Sequence, residues 1–160
     1  MSAQTGTTVH SVTVTRTVEA PPDAVWRAWT IPECFARWFF TPPFETPVET
    51  VAMDVRPGGE WRATQVNEAD GARLPFVGHY REVAEPGRLV MTFENPEDLS
   101  DPNVEIVTVT FSDADDGATK LTLRQEGHLP PEQYELLGEG YSRFFDNLAR
   151  YLAEGERNLA

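Results

Sequence analysis

The residues that could do chemistry in this sequence are few and lie far apart. Its three histidines are His10, His79 and His128, and its single cysteine is Cys34. The spacings typical of zinc proteases, thiol redox centres, serine hydrolases and phosphate-binding loops do not occur. A lone histidine on a strand is more often exposed or hydrogen-bonded than a metal ligand. The sequence therefore predicts no catalytic residue, no metal site and no cofactor.

Three charged residues nevertheless lie where acid–base or anion chemistry is conceivable. Asp54 and Arg56 flank a Pro-Gly-Gly turn, and an ion pair that stabilises a hairpin accounts for them. Arg16 shares a strand face with three valines, so it needs a carboxylate or carbonyl partner if it is buried. We interpret Arg16 as one half of a structural ion pair rather than as an anion anchor.

Aromatic residues are the more informative group. The segment from Trp38 to Phe44 holds four aromatic residues and two prolines, and it is interpreted equally well as a cavity lid, a partner surface or a cap on the core. Tyr80 is either a core aromatic or a ligand contact. The candidate cavity residues, which would either line a cavity or fill it, are Trp38, Phe40, Phe44, Trp61, Phe76, Tyr80, Met91, Phe93, Tyr141, Phe144, Phe145 and Leu148.

Composition and charge restrict the partners. The formal net charge of −13 repels nucleic acids and anionic lipid surfaces. The longest apolar run, Trp38 to Phe40, is far too short to cross a bilayer. The first eight residues contain neither the basic segment nor the apolar segment of a signal peptide. We therefore expect a cytoplasmic protein that binds neither nucleic acid nor membrane.

The elements that must position these residues can be predicted from periodicity. Residues 1–8 are expected to be a disordered tail, and Val9 to Ala20 alternates like a half-buried strand. A short helix follows from Pro21. The Thr-x-x-Glu pattern from Thr30 to Glu33 has the form of a capping box and predicts a second short helix that carries Trp38.

Strands dominate from Val48 to Glu126, where alternating segments are separated by turns too short for crossover helices. After a predicted turn around Tyr134–Leu137, an apolar stripe from Tyr141 to Leu152 has helical spacing. The expected fold class is α+β: a curved antiparallel sheet of about six or seven strands, two short helices after strand 1, and a long C-terminal helix across the concave face. Residues 9–155 would form this single domain and 156–160 a C-terminal tail.

This order of elements, with several short motifs, resembles the START-like helix-grip superfamily (SRPBCC, birch-pollen-allergen-like). Within it, the sequence is similar to bacterial stand-alone proteins related to the C-terminal domain of the activator of heat-shock protein 90 ATPase. The motifs that carry the resemblance, from about Val12 to Leu152, are Val25–Thr30, Asp54–Trp61, Gly78–Val83, Gly87–Thr92 and Gly117–Leu123. The resemblance implies a deep cavity between sheet and helix, and it implies no particular reaction.

Three hypotheses about function follow. The first is a non-catalytic binding protein for a small apolar ligand, aromatic or lipid-like, held between the sheet and the C-terminal helix. The second is a protein-interaction module related to chaperone ATPase activators, weakened because no separate domain precedes Val9. The third is a cyclase- or hydrolase-type enzyme that uses the same cavity, with groups such as Tyr80 and Arg16 meeting inside it. We favour a protein that is not an enzyme. A homodimer is one possible assembly.

Overall fold

The computed structural model describes residues 10–159, with side chains described for residues 10–154. Within this range seven strands form one antiparallel sheet, in the order β1-β7-β6-β5-β4-β3-β2. The strands are β1 (His10–Val18), β2 (Ala52–Met53), β3 (Glu60–Asn67), β4 (Ala72–Ala84), β5 (Arg88–Phe93), β6 (Glu105–Asp113) and β7 (Thr119–Gly127).

The helices complete the predicted α+β order. Two short helices follow β1, namely α1 (Pro22–Thr30) and α2 (Pro32–Phe35), and the long helix α3 (Pro131–Leu159) packs against the curved sheet. Two single 3₁₀ turns lie at Val48–Thr50 and Asp115–Gly117. The helix-grip fold predicted from the sequence is confirmed. No helix in the described part of the chain is long and apolar enough to cross a membrane.

The core forms where the inward-facing positions of the sheet meet the apolar stripe of α3. Trp61 and Ala63 on β3 and Leu121 and Leu123 on β7 are all inaccessible to solvent. They alternate with exposed or half-exposed neighbours, as expected for strands with one wet face. On α3, the buried side chains include Tyr141, Phe145, Leu148 and Leu152, at the spacing of a single helix face.

The predicted capping box is wrong. Thr30 is the last residue of α1, where its hydroxyl donates a hydrogen bond to the carbonyl of Trp26, and α2 begins after Ile31 without a side-chain cap. A hydroxyl in the last turn can bond back along its own helix, which competes with capping the next one. Trp38 therefore lies beyond α2, yet it is buried and its indole N–H donates to the carbonyl of Ala28 at 2.8 Å.

The predicted turn around Tyr134–Leu137 is also wrong, because these residues belong to α3. Tyr134 is buried and donates a hydrogen bond to Glu105 of β6, which holds the first turns of the helix on the sheet. The helix continues through residues 156–159, which were predicted as a C-terminal tail. The predicted disordered tail, residues 1–8, lies outside the described residues.

Residue 78 must be glycine because neighbouring atoms approach its Cα too closely for a side chain. No bulge lies at this residue. A Cβ there would lie 1.7 Å from the carbonyl oxygen of Thr92 and 2.6 Å from the indole nitrogen of Trp61. That nitrogen donates to the same Thr92 oxygen at 2.9 Å. The register shift between β4 and β5 occurs two residues later, between Tyr80 and Glu82.

Candidate functional site: a cavity between the sheet and the C-terminal helix

A cavity of about 450 Å³ lies between the first half of α3 and one end of the sheet. The helix contributes Gln133, Leu136, Leu137, Gly140, Tyr141 and Phe144. The strands contribute Gln65, Leu74, Phe76, Phe93 and Gln125. The segment after α2 contributes Phe39, Thr41, Pro42, Pro43 and Phe44. Three separate parts of the fold therefore supply the wall, and most of that wall is apolar.

The cavity reaches the surface through an apolar rim. Leu136 on α3 and Leu74 on β4 are 65% and 45% exposed, and the neighbouring Pro42 and Pro43 are exposed as well. Deeper in the wall, the ring of Phe39 lies 5.2 Å from that of Phe76 and 5.0 Å from that of Phe144. These aromatic contacts join loop, sheet and helix, so the inner wall is a packed surface rather than a gap between mobile parts.

One polar network borders the cavity. Tyr141 donates a hydrogen bond to Oε1 of Gln125 at 2.5 Å, and Nε2 of Gln125 donates to Oε1 of Glu105 at 2.9 Å. Tyr134 donates to the same Glu105 oxygen at 2.7 Å, and the backbone N–H of His128 donates to the other oxygen at 3.2 Å. Burial, and then the negative charge of Glu105, raise the pKa of Tyr141 well above its ordinary value of 10.0. Tyr141 is therefore a neutral donor at physiological pH.

Gln65 is the second buried amide in the wall, and its situation differs from that of Gln125. It is 2% exposed and lies on the inner face of β3, two residues beyond Ala63. Among the described residues, no side chain or backbone group forms a hydrogen bond with the amide of Gln65. A polar group that faces an apolar cavity is thus left without a protein partner.

None of the described residues that line the cavity has a charged side chain. The described part of the chain also contains no cluster of three or more histidine, cysteine or carboxylate residues that could hold a metal ion. The wall offers hydrogen bonds from amides, a tyrosine and a threonine, and apolar contact from everything else. Such a lining can bind and orient a molecule, and Tyr141 is the only ionisable group among the lining residues that the structure describes.

The predicted cavity residues fall into two groups. Five of them line the cavity: Phe44, Phe76, Phe93, Tyr141 and Phe144. Six others are almost fully buried in the core instead: Trp38, Trp61, Tyr80, Met91, Phe145 and Leu148. Phe40 is half-buried and lies on a separate depression beside Thr46 and Val48.

The segment from Trp38 to Phe44 divides between two of the three roles considered for it, a cap on the core and a cover of the cavity. Trp38 and Phe39 are buried in the core, whereas Pro42, Pro43 and Phe44 form the outer cavity wall. The side-chain amide of Asn147 on α3 donates to the carbonyl oxygens of Trp38 and Phe40, at 3.3 and 3.0 Å. Thr46 donates to the carbonyl of Phe39. The helix and the segment after α2 are thereby tied together beside the cavity.

The charged residues that were considered for chemistry lie outside the cavity. Arg16 pairs with Asp146 of α3, and Arg56 pairs with Asp54 at 2.9 Å, so each is one half of an ion pair. His79 contacts the carboxylate of Glu94 at 2.9 Å.

Tyr80 is 1% exposed, and its hydroxyl has no hydrogen-bond partner among the described residues. Burial, and then the charge of Asp54, raise its pKa well above 10.0. Arg16 and Tyr80 therefore do not meet in the cavity, as the enzyme hypothesis would have required.

Comparison with known protein families gives a match over residues 19–153, to the family described as activator of Hsp90 ATPase homolog 1-like protein. The chain belongs to this family. The resemblance to the helix-grip superfamily inferred from sequence motifs is thereby confirmed. A comparison with curated proteins gives no match.

Solved structures similar to this family member cover almost the whole domain. A protein from Chromobacterium violaceum is 29% identical, with a TM-score of 0.74 over 89% of this chain and 96% of that one. A protein from Nitrosomonas europaea is 25% identical, with a TM-score of 0.75 over 91% and 95%. An AHSA1-like protein from Aeromonas hydrophila, at 23% identity and a TM-score of 0.73 over 92% and 94%, shares the fold. Membership supports a START-like ligand-binding or interaction domain.

Sequence reasoning missed two residues that set the polarity of the cavity in this Hsp90 ATPase activator-like protein. Gln65 continues the inward positions of Trp61 and Ala63, and Gln125 continues those of Leu121 and Leu123. The signal was a polar residue at a position where the alternation demands an inward side chain. Buried glutamine is uncommon enough to have marked both as site candidates.

Proposed function

We propose that this protein binds a small apolar ligand, aromatic or lipid-like, in the cavity between the sheet and α3, and that it does not transform this ligand. The observation that supports the proposal is a cavity of about 450 Å³ with a mainly aromatic and aliphatic lining. Binding pockets for small molecules start at about 300 Å³ and are mostly apolar, with a few polar groups that fix orientation.

The volume suggests a ligand with more than one ring. A cavity of about 150 Å³ accommodates a benzene molecule, so a cavity about three times as large accommodates two or three rings or a comparable aliphatic chain. The exposed leucines at the rim give such a molecule an apolar path to the interior. Burial of each methylene group contributes about 0.8 kcal/mol, so affinity would come mainly from contact area.

The absence of charged groups from the described cavity wall supports a binding role over catalysis. General acid–base chemistry at neutral pH needs a group whose pKa lies near the working pH, and Tyr141 has its pKa shifted away from neutrality. The chaperone-related alternative rests on the family description alone, and it would be favoured if no apolar molecule bound. A homodimer stays a prediction.

Gly140 offers a direct test, because it lines the middle of the cavity and a Cβ added there has no neighbour within 4 Å. We expect β-methylnaphthalene to bind the wild-type protein, measured by the change in tryptophan fluorescence. Gly140→Leu should place a branched side chain inside the cavity, where it competes with the ligand for space, and reduce this affinity at least tenfold. Gly140→Ala is the matched control: it should keep the affinity and raise the free energy of unfolding by about 1 kcal/mol, since alanine is the better helix former.

Unchanged binding by a folded Gly140→Leu variant would show that the ligand sits elsewhere. Native mass spectrometry of freshly purified protein is an independent measurement. A mass above that of the denatured chain identifies a co-purified ligand, and Gly140→Leu should lose this extra mass.

A further inference from the structure

The unpaired amide of Gln65 has a consequence for the chemistry of the ligand. In folded proteins the great majority of buried polar side-chain atoms have a hydrogen-bond partner. The neighbouring buried amide, Gln125, follows this rule through Tyr141 and Glu105. Gln65 is 2% exposed and lines the cavity, where its amide is open to the cavity space and has no protein partner among the described residues. A donor and an acceptor are therefore available to whatever occupies the cavity.

A packing role does not explain a glutamine at this position. The two preceding inward residues of β3, Trp61 and Ala63, are apolar, and a methionine would fill a similar volume without an unsatisfied amide. Aromatic rings line the same cavity, with Phe76 on the adjacent strand β4 and Phe39 in the segment after α2, 5.2 Å apart. The amide of Gln65 is thus one of a few polar groups in a mainly apolar wall, as expected for a group that orients a ligand.

The charges around the cavity further restrict which polar group the ligand can carry. Neither arginine, lysine nor histidine is among the described residues of the wall, so a carboxylate inside would have no cationic partner. The carboxylate of Glu105 lies directly behind Gln125, 2.9 Å from its amide nitrogen, and would repel a second anion. Glu105 accepts hydrogen bonds from Gln125, Tyr134 and the backbone of His128 and is not among the residues of the wall, so it does not form a direct ion pair with an ammonium group inside the cavity. Burying an unpaired charge is far more costly than burying a neutral polar group.

We propose that the cavity selects an uncharged ligand whose apolar body carries one neutral polar group, a carbonyl, hydroxyl or carboxamide, that pairs with Gln65. Fatty acids and other carboxylate anions are excluded by the same arrangement. This inference rests on the proposed function, because it specifies the ligand of the same cavity. Gln65 would recognise the polar group of the ligand by hydrogen bonding, and the aromatic wall would bind its apolar body.

Three probes with one shared body test the inference: β-methylnaphthalene, β-naphthamide and β-naphthoate. The amide and the carboxylate have nearly the same shape and differ in charge. We expect β-naphthamide to bind at least tenfold tighter than β-naphthoate at neutral pH, measured by competition at fixed ionic strength. Gln65→Met should weaken β-naphthamide about tenfold and change the affinity for β-methylnaphthalene less than threefold.

Thr15→Met is the control, because Thr15 is an exposed, uncharged residue of β1 that does not line the cavity. It should leave the affinities for all three probes unchanged. Thermal unfolding checks that Gln65→Met is folded, which we expect since no protein hydrogen bond is removed.

Equal affinity of the wild type for β-naphthamide and β-naphthoate would overturn this inference while the proposed function stands. So would an unchanged affinity of Gln65→Met for β-naphthamide. Failure of all three probes, β-methylnaphthalene included, would overturn the proposed function itself. The two failures are therefore distinguishable.

Discussion

Two buried tyrosines show how much the surroundings of a single hydroxyl matter. Tyr141 donates to Gln125 at 2.5 Å, whereas the hydroxyl of Tyr80 is buried without a partner among the described residues. Both side chains are deeply buried, at 6% and 1% exposure. An unsatisfied buried hydroxyl costs about 1 to 3 kcal/mol, and a satisfied one contributes about 1 kcal/mol. The two hydroxyls therefore have opposite effects on stability.

Removal of each hydroxyl tests this contrast. Tyr80→Phe should raise the free energy of unfolding by about 1 kcal/mol, because it deletes an unsatisfied group without creating a cavity. Tyr141→Phe should lower it by about 1 to 3 kcal/mol, because the buried Oε1 of Gln125 loses its donor. Urea denaturation of the two variants beside the wild type measures both. A loss of stability in Tyr80→Phe equal to that in Tyr141→Phe would contradict the assignment.

The sequence predicts inward positions well but not whether the space in front of them is filled. The sequence places the side chains of Trp61, Met91 and Phe93 on the interior of the fold, as the structure does. Of these three, only Phe93, at the end of its strand, lines the cavity. Trp61 and Met91 lie where α3 and the segment after α2 close over the sheet. Whether a side chain fills or lines a space depends on the distance between packed elements, which periodicity does not encode.

At the scale of elements, Asn147 connects α3 by hydrogen bonds to the segment after α2, which also forms the outer cavity wall. Its amide donates to two carbonyl oxygens of that segment, and Arg150 donates to its oxygen at 3.4 Å. The residue before it, Asp146, faces the opposite way and pairs with Arg16 on β1. Adjacent residues of one helix thus hold two different elements, one through a buried amide and one through an exposed ion pair.

Truncation of these neighbours should have unequal effects. Asn147→Ala should lower the free energy of unfolding by about 1 to 3 kcal/mol, because buried carbonyl groups lose their donor. It should also speed the dissociation of β-methylnaphthalene, since the wall from Thr41 to Phe44 is released. Asp146→Ala, the control, should cost less than about 1 kcal/mol and leave dissociation unchanged. Urea denaturation and stopped-flow fluorescence measure the two quantities, and equal effects in both variants would contradict the proposed tie.

Element boundaries were predicted less well than element order, for identifiable reasons. Thr30 and Glu33 have the spacing of a capping box, but the hydroxyl of Thr30 is used by the preceding helix. A turn was predicted around Tyr134–Leu137, but Tyr134 anchors the first turns of α3 through Glu105. At Thr30 a bond within the preceding helix, and at Tyr134 a contact with a distant strand, overrides the local pattern. Most of the β-strand order needed no such contact, because strands that follow each other in the chain pair, and only β1 pairs with a distant strand, β7, among the described strands.

At the scale of the whole molecule, the cavity occupies only one end of the grip. This is the end at which β3, β5 and β7 finish and α3 begins, so Gln65, Phe93, Gln125 and Gln133 all lie close to strand or helix ends. At the other end, α1 fills the space with Trp26 and other aromatic residues against β6. The fold therefore has one packed end that supplies stability and one open end that is available to a ligand.

The four tyrosines connect this packing to the pH dependence of the whole domain. Burial is the main cause that raises the pKa of each of them above its ordinary value of 10.0, and it raises those of Tyr134 and Tyr151 to about 12. Below pH 10 both folded and unfolded chains keep these protons, so stability does not depend on them. Between pH 10 and about 12 the unfolded chain loses protons that the folded chain retains, which favours unfolding as the pH rises.

We therefore expect the free energy of unfolding to fall steadily above pH 10, and tyrosinate absorbance to appear together with the loss of native circular dichroism. In denaturant, the same tyrosines should titrate near 10.0, their ordinary value. If the tyrosines ionised near pH 10 while the protein stayed folded, they could not be buried as the structure shows. Because Tyr141 borders the cavity, saturating β-methylnaphthalene should shift the alkaline transition to higher pH in the wild type. The same concentration of ligand should shift the transition of Gly140→Leu less, because the added side chain obstructs the cavity.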